Sequence, residues 1–334
     1  MPGRQLRLFE RRPWEKYLPL QNLIEASTSS KTKPRYSVTS DILAYQRCKR
    51  QYGFFAVRRY SPAHIVQLWY GLVIHQVLDK LHLHWLGLMD PSTRGQLPTD
   101  DDVDTYFEQV LNSLKARGIR PINDHVKKSA KEVLKIFNRI EGPELYPKVL
   151  NTEYRLQKDK GDYIIHGIVD LLKGLDEDVP RGYDRVEIWD YKGSEFPQWK
   201  DPITGKVDKA KKRLFTNYKF QMLVYAGLYK EKTGKYPLKG IIYFMNELNK
   251  VAELTRRPSQ AVYSVDFRDP ENLEQIEHAM EVFDDTVRQI EQDKEQDKWE
   301  PPTEPPDKET CDICDLRWSC PVAQRAYGYP MRYP

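Results

Sequence analysis

Two hydrophobic rhythms follow one another along this chain, and the change falls near residue 148. Before it, apolar positions recur at helical spacing. A helix beginning at Asp41 and capped by Thr39 or Ser40 carries Cys48 toward its end. A longer helix is expected over Ala63–Leu88, with two more near 101–117 and 122–141, the last stopped by Glu141-Gly142-Pro143. Short segments rich in Ile, Val, Tyr and Trp come next and predict strands over Val149–Gln157, Tyr163–Leu172 and Val186–Gly193. A helix follows over Lys209–Thr233, closed by Gly234 and Pro237. Strands near 239–246 and 260–267 and a polar amphipathic helix over 270–293 complete the pattern. Helices first, then strands joined by a crossover helix, predict an α/β fold in which a mixed sheet flanked by helices lies under a helical cap.

The ends read differently from the middle. Residues 1–36 hold scattered Arg, Lys and Pro with no persistent period and read as a flexible arm. Residues 37–148 form the helical region, 149–293 the core, and 294–334 a charged, Pro-rich linker with a cysteine-bearing tail. The 334 residues, 40% hydrophobic and 31% charged, have the balance of a soluble globular protein. The first ten residues hold no apolar run of signal-sequence length, and no stretch is long and apolar enough to span a bilayer, so a cytoplasmic protein is expected. Net charge is +4, which permits a nucleic-acid partner without demanding one. Basic residues gather beside the first cysteine, with Arg47 and Arg50 among them, and again at Lys211, Lys212 and Arg213. Such runs are solvated faces or phosphate contacts; both flank candidate chemistry, which makes them candidate DNA-binding residues.

The candidate chemistry centres on EIWDYKGS. Side chains alternate along a strand, so Asp190 and Lys192 project together while Trp189 and Tyr191 turn away. A carboxylate beside an ammonium suits a metal-activated water and the phosphate it attacks. Asp170 ends a second apolar run, IIHGIVDLL, where an acid is costly unless paired or metal-bound. Two carboxylates on neighbouring strands suit Mg²⁺ or Mn²⁺. His75 lies on the long predicted helix with Gly71 one turn earlier, leaving room for a ligand at the imidazole, although a lone helical His is also commonly just packed. Gln221 and Tyr225, four apart in KFQMLVYAGLY, present an amide and a phenol from one helix face, or else a rim residue and a core residue.

The only cysteines are Cys48 and the tail group Cys311, Cys314 and Cys320, spaced C-x2-C-x5-C. Four thiolates suit an iron–sulfur cluster or a structural zinc equally.

Taken in order, these motifs resemble the PD-(D/E)xK nuclease superfamily, and within it the RecB-like branch with a four-cysteine iron–sulfur cluster. That branch includes the nuclease domain of AddB and the CRISPR-associated single-strand exonucleases. The resemblance runs from about residue 38 to 321. It implies that His75, Asp170 and Asp190 are metal ligands, with the Tyr191 carbonyl a further one. Lys192 would then be the catalytic lysine, and Gln221 and Tyr225 would support the site or the DNA. Glu153, in NTEYRL, matches an acidic position of some relatives. The resemblance favours a 4Fe–4S cluster on the four cysteines. It implies a metal-dependent DNA exonuclease acting on single strands in repair, recombination or CRISPR adaptation. The competing expectation is a DNA-end scaffold for a helicase or integrase. In the arm, Gln5–Phe9 (QLRLF) resembles the pentapeptide that docks on the replication sliding clamp.

Overall fold

Five strands from the segment after residue 148 join one short strand from before it in a six-stranded mixed sheet. The computed structural model describes residues 33–60, 66–250 and 256–330; Gln5–Phe9 lies outside them. The strands are β1 (Arg35–Ser37), β2 (Val149–Asp159), β3 (Ile164–Gly174), β4 (Tyr183–Lys192), β5 (Tyr236–Phe244) and β6 (Val262–Asp266). β2 pairs antiparallel along nearly all of β3. The other edge of β3 is shared: β1 runs parallel to Ile164–His166, and β4 runs antiparallel to Leu171–Gly174. β4 continues parallel to β5, and β5 pairs antiparallel with β6. The last rung between β3 and β4 joins Leu171 to Trp189. One residue further, at Asp170 and Asp190, the two strands part. This fork positions the site.

The long helices are α1 (Val66–Leu86), α2 (Asp100–Ala116), α3 (Asp124–Leu145), α4 (Lys209–Thr233) and α5 (Pro270–Glu295). They cover the sheet from both sides, as neighbouring strand residues show. Trp189, Tyr191, Ile241 and Tyr243 join a core with Trp69, Val77, Phe107 and Phe137 of the first three helices. Ile188, Ile242 and Phe244 join a second core with Met222, Val224 and Leu228 of α4 and Phe283 of α5. Each such apolar side chain, fully buried, contributes about 1.5–3 kcal/mol. Among the described residues no helix is long and apolar enough to cross a membrane.

Four local expectations are corrected. The end of the predicted arm is built into the sheet, since Arg35–Ser37 form β1. The cap of the following turn is Ser37, whose Oγ accepts from Ser40 N, rather than Thr39 or Ser40. Cys48 is not carried on a continuous helix. It is extended (φ −161°, ψ 105°) at a break between the short helices Ala44–Arg47 and Lys49–Tyr52. α3 also passes through Gly142-Pro143 to Leu145. Burial of Leu145 and Tyr146 offsets the lost hydrogen bond at proline. Gly142 leaves space for the Tyr146 ring, which would lie 2.7 Å from a Cβ there, and the Tyr146 hydroxyl donates to Asn138 Oδ1 at 2.7 Å.

The segment around Cys48 is fastened to the C-terminal half of α5. Tyr45 and Lys49 both donate to Asp293, at 2.6 and 3.1 Å, and Gln46 donates to Thr286 at 3.1 Å. Beyond α5, Trp299 lies over Gly53, where a Cβ would come within 2.0 Å of the indole. Only glycine fits there, so the tail leaves α5 already pressed against the first cysteine's segment.

Candidate active site

The fork exposes polar backbone that a sheet would otherwise pair, and Asp170 takes over that role. Its Oδ2 accepts the Tyr191 N–H at 2.6 Å, and its Oδ1 lies 3.1 Å from His75 Nδ1 on α1. Burial would raise the Asp170 carboxyl, but His75 and the Tyr191 amide outweigh it and hold it below the ordinary carboxylate range. Burial likewise opposes charge on His75, yet Asp170 lifts the imidazole to about 9. The two form an ion pair.

Asp190 and Lys192 share one face of β4, as alternation requires, and look toward α4. Lys192 Nζ lies 2.6 Å from Asp190 Oδ2 and donates to Gln221 Oε1 at 2.8 Å. Gln221 Nε2 donates to Asp190 Oδ1 and to the Tyr225 hydroxyl, both at 2.9 Å. This arrangement fixes the amide's orientation, because an ammonium can only donate and a carboxylate only accept. Tyr218 adds its ring face 4.8 Å from Lys192 Nζ. Burial and the nearby Asp170 charge raise the Asp190 carboxyl despite Lys192. Asp190 keeps Lys192 protonated, its pKa above the ordinary lysine value even though burial opposes this. Gly167 completes the frame, since a Cβ there would lie 2.6 Å from the Tyr225 ring.

The structure therefore brings His75, Asp170, Asp190, Lys192, Gln221 and Tyr225 together. Gly71 faces open space one turn before His75, and the Cα of Gly71 approaches Gly193 just past the catalytic strand. Tyr191 contributes only backbone: its side chain is buried on the opposite face, beside His82 and Phe137. Two acids complete the rim. Glu153 falls across from Asp170, between the rungs Thr152–Leu171 and Tyr154–Val169. Its φ of 47° is a left-handed conformation inside a strand, which costs a non-glycine residue about 1–2 kcal/mol and re-aims its side chain. Partial burial and the charges of Asp170 and Asp79 push Glu153 up to about 7. Asp79 escaped the sequence reading, although it continues the Gly71–His75 spacing by one more turn. It accepts from Thr152 Oγ1 at 2.7 Å.

This donor set fits a divalent ion. Asp190 Oδ2 is buried and receives no well-directed hydrogen bond, and carboxylate oxygens suit Mg²⁺ or Mn²⁺. Among the described residues no three His, Cys, Asp or Glu side chains are gathered as ligands of one ion; here Asp170 is paired with His75 and Asp190 with Lys192.

Of the candidate DNA contacts, Arg47, Lys211 and Lys212 are exposed. Lys211 and Lys212 stand in the first turn of α4, where the helix dipole disfavours cations, and Arg213 follows directly. Arg213 also faces Asp307 of the tail at 3.7 Å. Arg50 is half-buried. It lines a largely apolar pocket that Cys48, Cys311, Cys314 and Cys320 also line, with Pro302, Pro306 and Val322. Burial raises the thiols of Cys48 and Cys314, and burial with the other three cysteines pushes Cys311 up to about 11.

A model of the PD-(D/E)XK nuclease superfamily matches residues 36–321. The chain belongs to that superfamily, whose members typically hydrolyse phosphodiesters with divalent metals such as Mg²⁺. Among solved structures it is similar to a candidate exonuclease from Eubacterium rectale, at 13% identity and a TM-score of 0.45, over 87% of this chain and 91% of that one. It is also similar to the protein SSO0001, at 14% identity and a TM-score of 0.31, over 94% and 99% of the two chains. No curated protein matches the sequence.

Proposed function

We propose that this nuclease is an exonuclease of single-stranded DNA, working with Mg²⁺ or Mn²⁺ at the fork. We further propose that it belongs to the RecB-like branch and carries a 4Fe–4S cluster in the cysteine pocket. The observation that carries the first reading is the Lys192–Gln221–Asp190 network beside Asp170, a paired acid and ammonium buried where two strands part. His75, Asp170 and Asp190 would hold the divalent ion, which supplies Lewis acidity toward the phosphate and its attacking water. Lys192, held between Asp190 and Gln221, donates toward the phosphate oxygens and balances the charge that develops there. Asp170 fixes the His75 ring and the β4 backbone at Tyr191. Tyr225 stops Gln221 from rotating. The exposed cations opening α4 would meet the phosphates of an incoming strand.

The cluster reading is supported by four cysteines, one of them far from the rest in sequence, that line one largely apolar pocket.

The test uses protein purified without oxygen, Mg²⁺ or Mn²⁺, and linear single-stranded DNA labelled at either end. Progressive shortening from one end, with circular single strands left intact, is expected. Cutting of circles as fast as linear strands would overturn exonuclease action. Iron and sulfide in the purified protein, with the broad visible absorbance of iron–sulfur charge transfer, are expected from the cluster; zinc in their place would overturn it.

A further inference from the structure

Arg50 has a place among the surface cations in sequence and a different place in the fold. Its Nε is buried without a hydrogen-bond partner, and its guanidinium lies 5.3 Å over the Phe54 ring. An unmatched buried N–H is costly, and such groups are rare in native proteins. The side chain lines the pocket that all four cysteines also line. The backbone around Arg50 and Gln51 favours the thiolate of Cys48, and the Leu316 backbone with the Gln51 side chain favours that of Cys314, each against the effect of burial. The pocket's other guanidinium is already committed: Arg317 donates to the Cys314 carbonyl at 2.8 Å and lies 4.5 Å over the Trp318 ring.

We propose that Arg50 is the side-chain donor to the sulfur atoms, thiolate or inorganic sulfide, of an anionic cluster in this pocket, and is not a DNA contact. The inference rests on the 4Fe–4S reading above. Arg50 is then a positioning residue. Its hydrogen bond and charge favour the more negative, reduced form of the group, because hydrogen bonds to sulfur and net charge set such potentials. Removing it moves the midpoint potential to more negative values and speeds loss of iron in air.

The experiment compares wild type with Arg50→Met, which keeps an apolar stem over Phe54, and with Arg50→Lys, which keeps the charge and moves the donor. Iron and sulfide per chain, the midpoint potential from an electron-paramagnetic-resonance titration, and the salt dependence of binding to an oligonucleotide are measured on each. The expected result is a more negative potential and several-fold faster iron loss in Arg50→Met, with a smaller change in Arg50→Lys. DNA affinity and salt slope stay unchanged. Iron lost altogether from a variant whose circular dichroism matches wild type is the same effect carried further. A wild type that holds its cluster beside variants of identical potential overturns the inference and leaves the cluster reading standing. So does a variant with an unchanged potential and a shallower salt slope, which would make Arg50 a phosphate contact. Wild type with no iron overturns the cluster reading itself.

Discussion

Replacing Gln221 by methionine tests the buried network directly. The amide oxygen accepts from Lys192, and the amide nitrogen donates to Asp190 and Tyr225. Methionine nearly fills the same volume, so little of the effect is a cavity. Lys192 and Asp190 keep each other at 2.6 Å, so the ion pair survives the change. Asp190 Oδ1 and the Tyr225 hydroxyl lose the partner they share, in a region closed to water. Each unmatched buried group costs about 1–3 kcal/mol, with the charged one at the upper end. A loss of about 2–5 kcal/mol is therefore expected, a large part of the roughly 5–15 kcal/mol typical of a folded protein. Urea unfolding in the presence of a chelator, followed by circular dichroism, should show a lower midpoint with an unchanged slope. Tyr225→Phe, which removes one neutral hydrogen bond, should cost only about 0.5–1.5 kcal/mol. A Gln221→Met change smaller than that of Tyr225→Phe would refute the assignment of Gln221 as the centre of the network.

Two further outcomes follow from the packing and the charges. Gly53→Ala forces the Trp299 indole away from a contact of 2.0 Å, so it should destabilise by about 1–3 kcal/mol or more; hydrogen exchange should show the loss concentrated after residue 299, and a uniform loss across the sheet would contradict this. Glu153 is raised from 4.5 to about 7, so the folded chain holds that proton more tightly than the unfolded chain. Its contribution is favourable at low pH and is lost as pH rises from 4.5 through about 7. Metal-free Glu153→Gln should therefore gain stability over wild type across that window and level off above it, whereas a gain independent of pH would contradict the assignment.

Residues with chemistry in a regular element were readable from sequence. Alternation put Asp190 and Lys192 on one face of β4, and helical spacing put Gln221 under Tyr225, because both periods are local properties of the backbone. The fork was not readable. It depends on β1 taking part of the β3 edge, and a three-residue strand inside a polar arm carries no period of its own. Glu153 owes its place to a left-handed backbone that no glycine announces. The place of Arg50 on the cysteine pocket was not readable either, since nothing in a run of Arg, Lys and Gln reveals which cation is partly covered. Pro143 misled in the opposite direction, since burial of Tyr146 outweighs the usual helix stop.

The central claim is that the fork cuts phosphodiester bonds with Lys192 as its balancing cation. Single-turnover cleavage of a single-stranded oligonucleotide by Lys192→Met, with binding of the same strand measured separately, tests it most directly. The account predicts a rate lower by about 10²–10³-fold or more, the scale for removing one such electrostatic donor, with binding retained. Cleavage within a few-fold of wild type would contradict it.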